Sequence, residues 1–163
     1  MEQNINRDRP ASSTTLELIV LVGIQGAGKT TFAIQRFVET HVLISKDRLR
    51  NNRRPERRQQ QLLAAAFAAG QSVVVDNTNS SVAERAALIA CARAAGARAI
   101  GYLFTSSLDA CRMRNASRRP GTRVPEVGIF ATVKRFETPS LSEGFDQLWS
   151  VDTLPDFCFE VRS

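Results

Sequence analysis

The 163-residue chain is long enough to bury one full core and too short for two catalytic domains in tandem, so a single active site is expected. Its composition, 43% hydrophobic and 23% charged, excludes disordered, collagen-like and coiled-coil classes. The net charge of +6 rests on 19 arginines and only three lysines (Lys29, Lys46, Lys134), and so points toward an anionic ligand.

Met1 to Thr15 mixes charge, Pro10 and a Ser/Thr run without apolar period, which reads as a flexible lead-in to a domain over residues 16–163. It lacks the apolar core of a signal peptide, and no later run approaches the roughly 20 apolar residues of a membrane span. A soluble, cytoplasmic protein with no membrane partner is expected. Cys91, Cys111 and Cys158 lie far apart with a single histidine, His41, so reduced thiols are expected rather than disulfides or a zinc site.

Leu16 to Val22 is a nearly continuous apolar run of strand length, the pattern of a strand covered on both faces. A glycine-rich turn and a helix over Lys29–Glu39 follow. His41–Ser45 and Ser72–Val75 repeat the strand signature around a helix from Pro55 to Ala69, stopped by Gly70. Val82–Ala95 reads as a helix ended by Gly96, and Arg98–Phe104 as the fourth strand. Leu108–Arg118 is helical up to the Pro120–Gly121 break, and Pro125–Phe136 is a further helix opened by proline. Leu148–Asp152 and Phe157–Val161 are weaker strand candidates. Strand and helix in alternation predict an α/β fold, a three-layer sandwich around a mostly parallel sheet with its ligand at the carboxyl ends of the strands.

The turn after the first strand carries the most specific signal. Gly23, Gly28, Lys29 and Thr30 in GIQGAGKT fit G-x-x-x-x-G-K-[ST], the phosphate-binding loop. Glycines let backbone N–H groups curl around phosphates, Lys29 reaches the β and γ oxygens, and the Thr30 hydroxyl ligates magnesium. Gln25, Gly26, Ala27 and Thr31 complete the expected nucleotide cradle, with ATP and Mg²⁺ as the expected cofactors. Two further strand ends carry aspartate. Val73–Val75 run into Asp76, the layout of a carboxylate that holds magnesium directly or through water. Asp47 lies two residues past the second strand, where a carboxylate can take the proton of an acceptor hydroxyl. For either aspartate alone a turn or cap role is the simpler reading; the phosphate loop reverses that preference.

Arginine is clustered. Six residues between Arg48 and Arg58 and five between Arg112 and Arg123 place 11 of the 19 in two short segments. A planar guanidinium binds phosphate oxygens in pairs, which suits such clusters to a polyanion; a genome-driven arginine bias is the bland alternative. Cys111–Pro125 has the make-up of a mobile lid, an arginine-bearing helix, a Pro-Gly break and a new helix, able to exclude water and cover charge during phosphoryl transfer.

GIQGAGKTTF, ISKDRLR (Ile44–Arg50), VVVDNTN (Val73–Asn79), RMRNASRR (Arg112–Arg119) and FETPSLSEGFD (Phe136–Asp146) together resemble the P-loop kinase domain of polynucleotide 5′-kinases, including the kinase half of polynucleotide kinase/phosphatases. The resemblance spans nearly all of Leu16–Asp146. It implies that Asp47 is the general base on a 5′-hydroxyl and that Arg50 meets the scissile region or the adjacent 3′ phosphate. It also implies that Asp76, Asn77 and Asn79 line the substrate site and that Arg114 and Arg118 are lid arginines on the ATP phosphates. The implied partner is a 5′-hydroxyl nucleic acid end, DNA or RNA, crossing the mouth along Arg53–Arg58, with Arg54 among the contacts. The D-x-D-x-[TV] cluster of the phosphatase half does not occur in these residues, so phosphate removal is not expected. Tyr102, Trp149 and Phe67 are expected in or near the core rather than as stacking platforms, and Pro139–Gly144 is the place expected for the adenine. A small-molecule kinase of the same fold and a slow ATP-binding switch are the rival readings.

Overall fold

The computed structural model describes residues 14–163. The expected lead-in lies outside the described residues except for Thr14 and Thr15, which belong to no regular element. The chain builds one six-stranded sheet from β1 (Glu17–Val22), β2 (His41–Ile44), β3 (Ser72–Asp76), β4 (Arg98–Phe104), β5 (Gln147–Thr153) and β6 (Phe159–Arg162). The helices are α1 (Lys29–Phe37), α2 (Pro55–Ala68), α3 (Val82–Ala94), α4 (Leu108–Ala116) and α5 (Glu126–Arg135). Every predicted helix and strand is present, with ends shifted by at most two residues. Single helical turns over Lys46–Leu49, Pro120–Thr122, Leu141–Glu143 and Pro155–Phe157 were not legible as elements.

The strand order is β2-β3-β1-β4-β5-β6. Leu18 faces Val73 on one side and Ala99 on the other, all in parallel register. Central strands covered on both faces need apolar residues at every position, which is why Leu18–Val22 and Val73–Val75 are fully buried runs. The alternation divides them between two layers. Leu18, Val20, Val73, Val75 and Ala99 pack with Leu63, Phe67, Leu88 and Ala92 of α2 and α3. Ile19, Leu21, Val74 and Ile100 pack with Phe32 and Ala33 of α1 and Cys111 of α4. Phe67 is in the first layer, while Tyr102 and Trp149 pack against the second, as expected. The three cysteines are free thiols.

β6 departs from the parallel pattern. The turn over Leu154–Cys158 folds it back antiparallel onto β5, pairing Val151 with Val161. Asp156 and Phe157 sit at φ of 58° and 52° in that turn, which brings it to the carboxyl end of the sheet. Because β1 lies between β3 and β4, the chain reverses its direction of winding there. The crevice at such a switch point is where α/β sheets of this kind bind ligand. Among the described residues, no helix is long and apolar enough to cross a membrane.

Candidate active site

The loop between β1 and α1 is held against α4. Gly26 has φ +80°, and a Cβ there would stand 2.2 Å from the carbonyl oxygen of Cys111, so only glycine fits. The loop is fixed by Gly23 N–H donating to Thr78 O at 3.1 Å and by Thr153 Oγ1 donating to Ala27 O at 2.7 Å. α1 then starts at Lys29 with no side-chain cap and no acid in its first turn, leaving its N-terminal N–H groups for an anion.

Lys29 is buried and folded back, its Nζ donating to Gly23 O at 2.8 Å and Ile24 O at 2.7 Å. Burial lowers its pKa from 10.5 to about 8, against the opposing pull of Asp76. The charge is therefore present below about pH 8 and lost above it. ATP affinity of the free protein is expected to fall as pH rises from about 7.5 to about 9.5, toward tenfold per unit once Lys29 is neutral, with the fall absent in Lys29→Met. Fluorescence titration with a labelled nucleotide checks this.

The four residues after the β3 valines, Asp76 to Asn79, each tie down a different element. Asp76 Oδ2 accepts from Thr30 Oγ1 at 2.6 Å. Asn77 Oδ1 accepts from Lys46 N–H at 2.8 Å, and its Nδ2 donates to Gln59 Oε1 at 2.7 Å. Thr78 O holds Gly23. Asn79, at φ +46° and 3% exposed, donates from Nδ2 to Leu21 O. Asn79 thus braces β1 from behind and does not line the cleft, unlike the substrate contact the resemblance implies.

Asp47 follows β2 on the short turn Lys46–Leu49, whose start is capped by Ser45 Oγ accepting from Asp47 N–H at 3.3 Å. Asp47 and Arg50 pair at 3.4 Å, with side chains 83% and 71% exposed. Both line an open cleft of about 970 Å³, together with Gln25 to Thr31, Asp76 and Asn77. Asp47 thus stands at the mouth rather than in a dry pocket, close enough for its charge to raise the Lys29 pKa. Arg54 sits at the start of α2, exposed and outside the cleft lining.

The lid segment is built from α4, the turn Pro120–Thr122 and α5. α4 ends at Ala116, short of the predicted Arg118, because Asn115 closes a two-way amide pairing on Val124 at 2.8 and 2.9 Å. Arg112 reaches Glu126 at 2.7 Å and so pins the two helices together. Arg114 lines the cleft, but its guanidinium is occupied: Nη1 donates to Gly26 O and Ser106 Oγ, and Nη2 to Thr153 O. It clamps the phosphate loop to the end of β5. Arg118 also lines the cleft, and its charge pulls the Lys29 pKa down.

The model of the AAA_33 family, an AAA domain, matches residues 18–139, which include both strand-end aspartates and the whole lid. The chain belongs to the AAA_33 family. Among solved structures, this AAA_33 chain is similar to a sugar kinase from Janibacter sp. HTCC2649 in its unliganded form (TM-score 0.65, 17% identity, 84% of this chain and 85% of the other). It is similar to Chaetomium thermophilum Kti12 in complex with ADP-AlF3 (TM-score 0.63, 22% identity, 83% and 89%). It is also similar to a fungal RNA kinase (TM-score 0.64, 19% identity), covering 85% of this chain but 38% of that one. These likenesses show a shared P-loop kinase-like fold.

Sequence reasoning misplaced one region of this AAA_33 domain and missed several residues. Pro139–Gly144, expected at the adenine, is packed on α3 instead: Glu143 is paired to Arg85, and Arg93 donates to Gly144 O and Asp146. The cleft is bordered instead by the β5–β6 turn, where Phe157 is 42% exposed. Glu84, Lys46 and Arg135 also line it. Glu84 is the end of a capping box with Ser81. Burial pushes its pKa up, but N–H and hydroxyl donation from Ser81 and Ser80 and the charge of Lys46 bring it below the ordinary value. The S-x-x-E pattern at the start of α3 was legible; that it faces the cleft was not.

Proposed function

We propose that this AAA_33 domain is an ATP-dependent phosphotransferase that moves the γ-phosphoryl group to the 5′-hydroxyl of a nucleic acid end. The observation that carries the reading is that Asp47 and the loop residues Lys29 and Thr30 line the same cleft, with arginines leading away from Asp47 on the outside. The acceptor oxygen attacks the γ-phosphorus, its proton passes to an Asp47 carboxylate oxygen, and the bond from phosphorus to the β-phosphate oxygen breaks to release ADP. Lys29 leaves its two carbonyl partners to meet the phosphates, and Arg118 covers the charge from the lid side. Thr30 Oγ1 and Asp76 Oδ2, 2.6 Å apart beside the loop, suit magnesium. Bound there it would neutralise part of the phosphate charge. Phe157 offers an apolar surface for the base.

The arginines Arg53, Arg54, Arg57 and Arg58 favour a polyanionic acceptor, because each phosphate neutralised by a basic side chain adds to salt-dependent binding. The sugar kinase likeness, at a TM-score of 0.65 beside 0.64 for the RNA kinase, supports a second reading with a small-molecule acceptor. Incubation with labelled ATP and either a 5′-hydroxyl oligonucleotide or a panel of sugars and nucleosides separates the two. Label on the oligonucleotide, with an apparent KM that rises steeply with salt, is the expected result. Label on metabolites alone would defeat it.

A further inference from the structure

Asp47 is poorly held by its own side chain, since 83% exposure leaves it little packing and its contact to Arg50 is a long 3.4 Å. What fixes it is the backbone leading into it. Asp47 N–H is taken by Ser45 Oγ, and Lys46 N–H is taken by Asn77 Oδ1. Behind Asn77 lies Gln59, a polar side chain on the inner face of α2 and only 5% exposed. The polarity of this chain is set from one end. A backbone N–H can only donate, so Asn77 must turn its oxygen to Lys46 and its NH₂ to Gln59, and Gln59 must answer with its carbonyl oxygen.

We propose that Gln59 is a positioning residue for phosphoryl transfer, fixing the Ser45–Lys46 peptide that precedes Asp47 through Asn77 and so linking the backbone of Asp47 to the arginine-bearing helix. The inference rests on the phosphotransferase reading and deepens it. α2 presents Arg57 and Arg58 to solvent and Gln59 to the site. A nucleic acid strand gripped by the outer face of α2 and the base on the Lys46–Leu49 turn that meets its end are therefore joined by one chain of hydrogen bonds through Gln59 and Asn77. Arginine capture delivers the 5′-hydroxyl to a carboxylate already in register with it.

The test compares single-turnover transfer from ATP to a 5′-hydroxyl oligonucleotide for the full chain, Gln59→Met, Gln59→Glu and the double variant Gln59→Glu/Asn77→Asp. Methionine keeps the length but removes the acceptor, and the rate at saturation is expected to fall about tenfold or more while KM for ATP stays within about twofold, as for a misplaced catalytic group. Glutamate restores an acceptor toward Asn77 and recovers most of the loss. Adding Asn77→Asp sets two acceptors face to face and removes the recovery. This glutamate pair keeps the test open even if the methionine variant folds badly. Rates that simply follow melting temperature across the series, or a Gln59→Met chain as fast as the parent, would overturn the proposal. Absence of transfer to oligonucleotides by the parent chain is a different result and sinks the phosphotransferase reading to nucleic acid itself.

Discussion

Asp47→Asn is expected to lower transfer to a 5′-hydroxyl end by about 10² to 10⁴, the range that general-base catalysis contributes, while ATP binding changes by less than about twofold. Asparagine keeps the size and the carbonyl acceptor but cannot take the proton as the new oxygen–phosphorus bond forms. The loss therefore falls on the chemical step. The fold has little stake in the change, because the side chain is 83% exposed and its one ion pair, to Arg50, is at 3.4 Å in solvent, where such pairs contribute about 0 to 1 kcal/mol. The nucleotide also has little stake under the proposed reading, in which the loop and Lys29 rather than the carboxylate hold it. Single-turnover transfer with nucleotide titration on the same protein reads both quantities. A variant that transfers within tenfold of the parent would show that Asp47 is not the base. One that also loses ATP would show that it belongs to the nucleotide cradle.

What the sequence made legible follows from physics that acts locally. Val73, Val74 and Val75 announce a strand buried on both faces because only such a strand tolerates three apolar residues in a row. GIQGAGKT announces a phosphate loop because Gly26 and Gly28 need positive φ, which few other residues supply. Asp47 was picked out by its distance from the end of β2, and it lines the cleft. What escaped depends on partners far along the chain. Asn79 was expected to line the substrate site, yet it turns inward to Leu21 O, 58 positions away. Gln59 reads as one more polar residue in a helix with three adjacent glutamines, and only Asn77 gives it a task. Arg114 reads as a free lid cation, whereas three acceptors on separate segments hold it. β6 was predicted as a strand, but its antiparallel direction is set by the turn at Asp156 and Phe157 rather than by its own residues.

Arg85→Met is expected to cost the fold about 3 to 5 kcal/mol, the penalty for breaking one side of a buried ion pair. From sequence an arginine on an amphipathic helix reads as solvated, yet Arg85 is 0% exposed. Its Nε and Nη2 meet the two Glu143 oxygens at 2.7 and 2.9 Å, and its Nη1 donates to Asn79 O at 2.9 Å. Methionine fills much of the volume but leaves the Glu143 carboxylate inside without its cation and the Asn79 carbonyl without its donor. For Glu143, burial raises the pKa, but the guanidinium hydrogen bonds and the Ser140 N–H outweigh it, and the net shift is downward from 4.5. A carboxyl with a lowered folded pKa stabilises the fold above about pH 4.5 and loses that contribution as pH falls through the folded value. The difference between parent and Arg85→Met should therefore shrink in acid. Pairing the change with Glu143→Leu removes the stranded charge and is expected to recover a large part of the loss, because an apolar pair of similar volume can replace a buried ion pair. Urea unfolding of the parent, the two single variants and the double variant at pH 7 and pH 4 measures all of this. A single-variant cost under about 1 kcal/mol, or a double variant no better than either single one, would mean that the pair is not what holds the Leu141–Glu143 turn to α3. Because the Asn79 carbonyl belongs to the residue after Thr78, which holds Gly23 of the phosphate loop, the loss should reach the site as well. The folded fraction of Arg85→Met is then expected to bind ATP more weakly than the parent, although Arg85 lies outside the cleft lining.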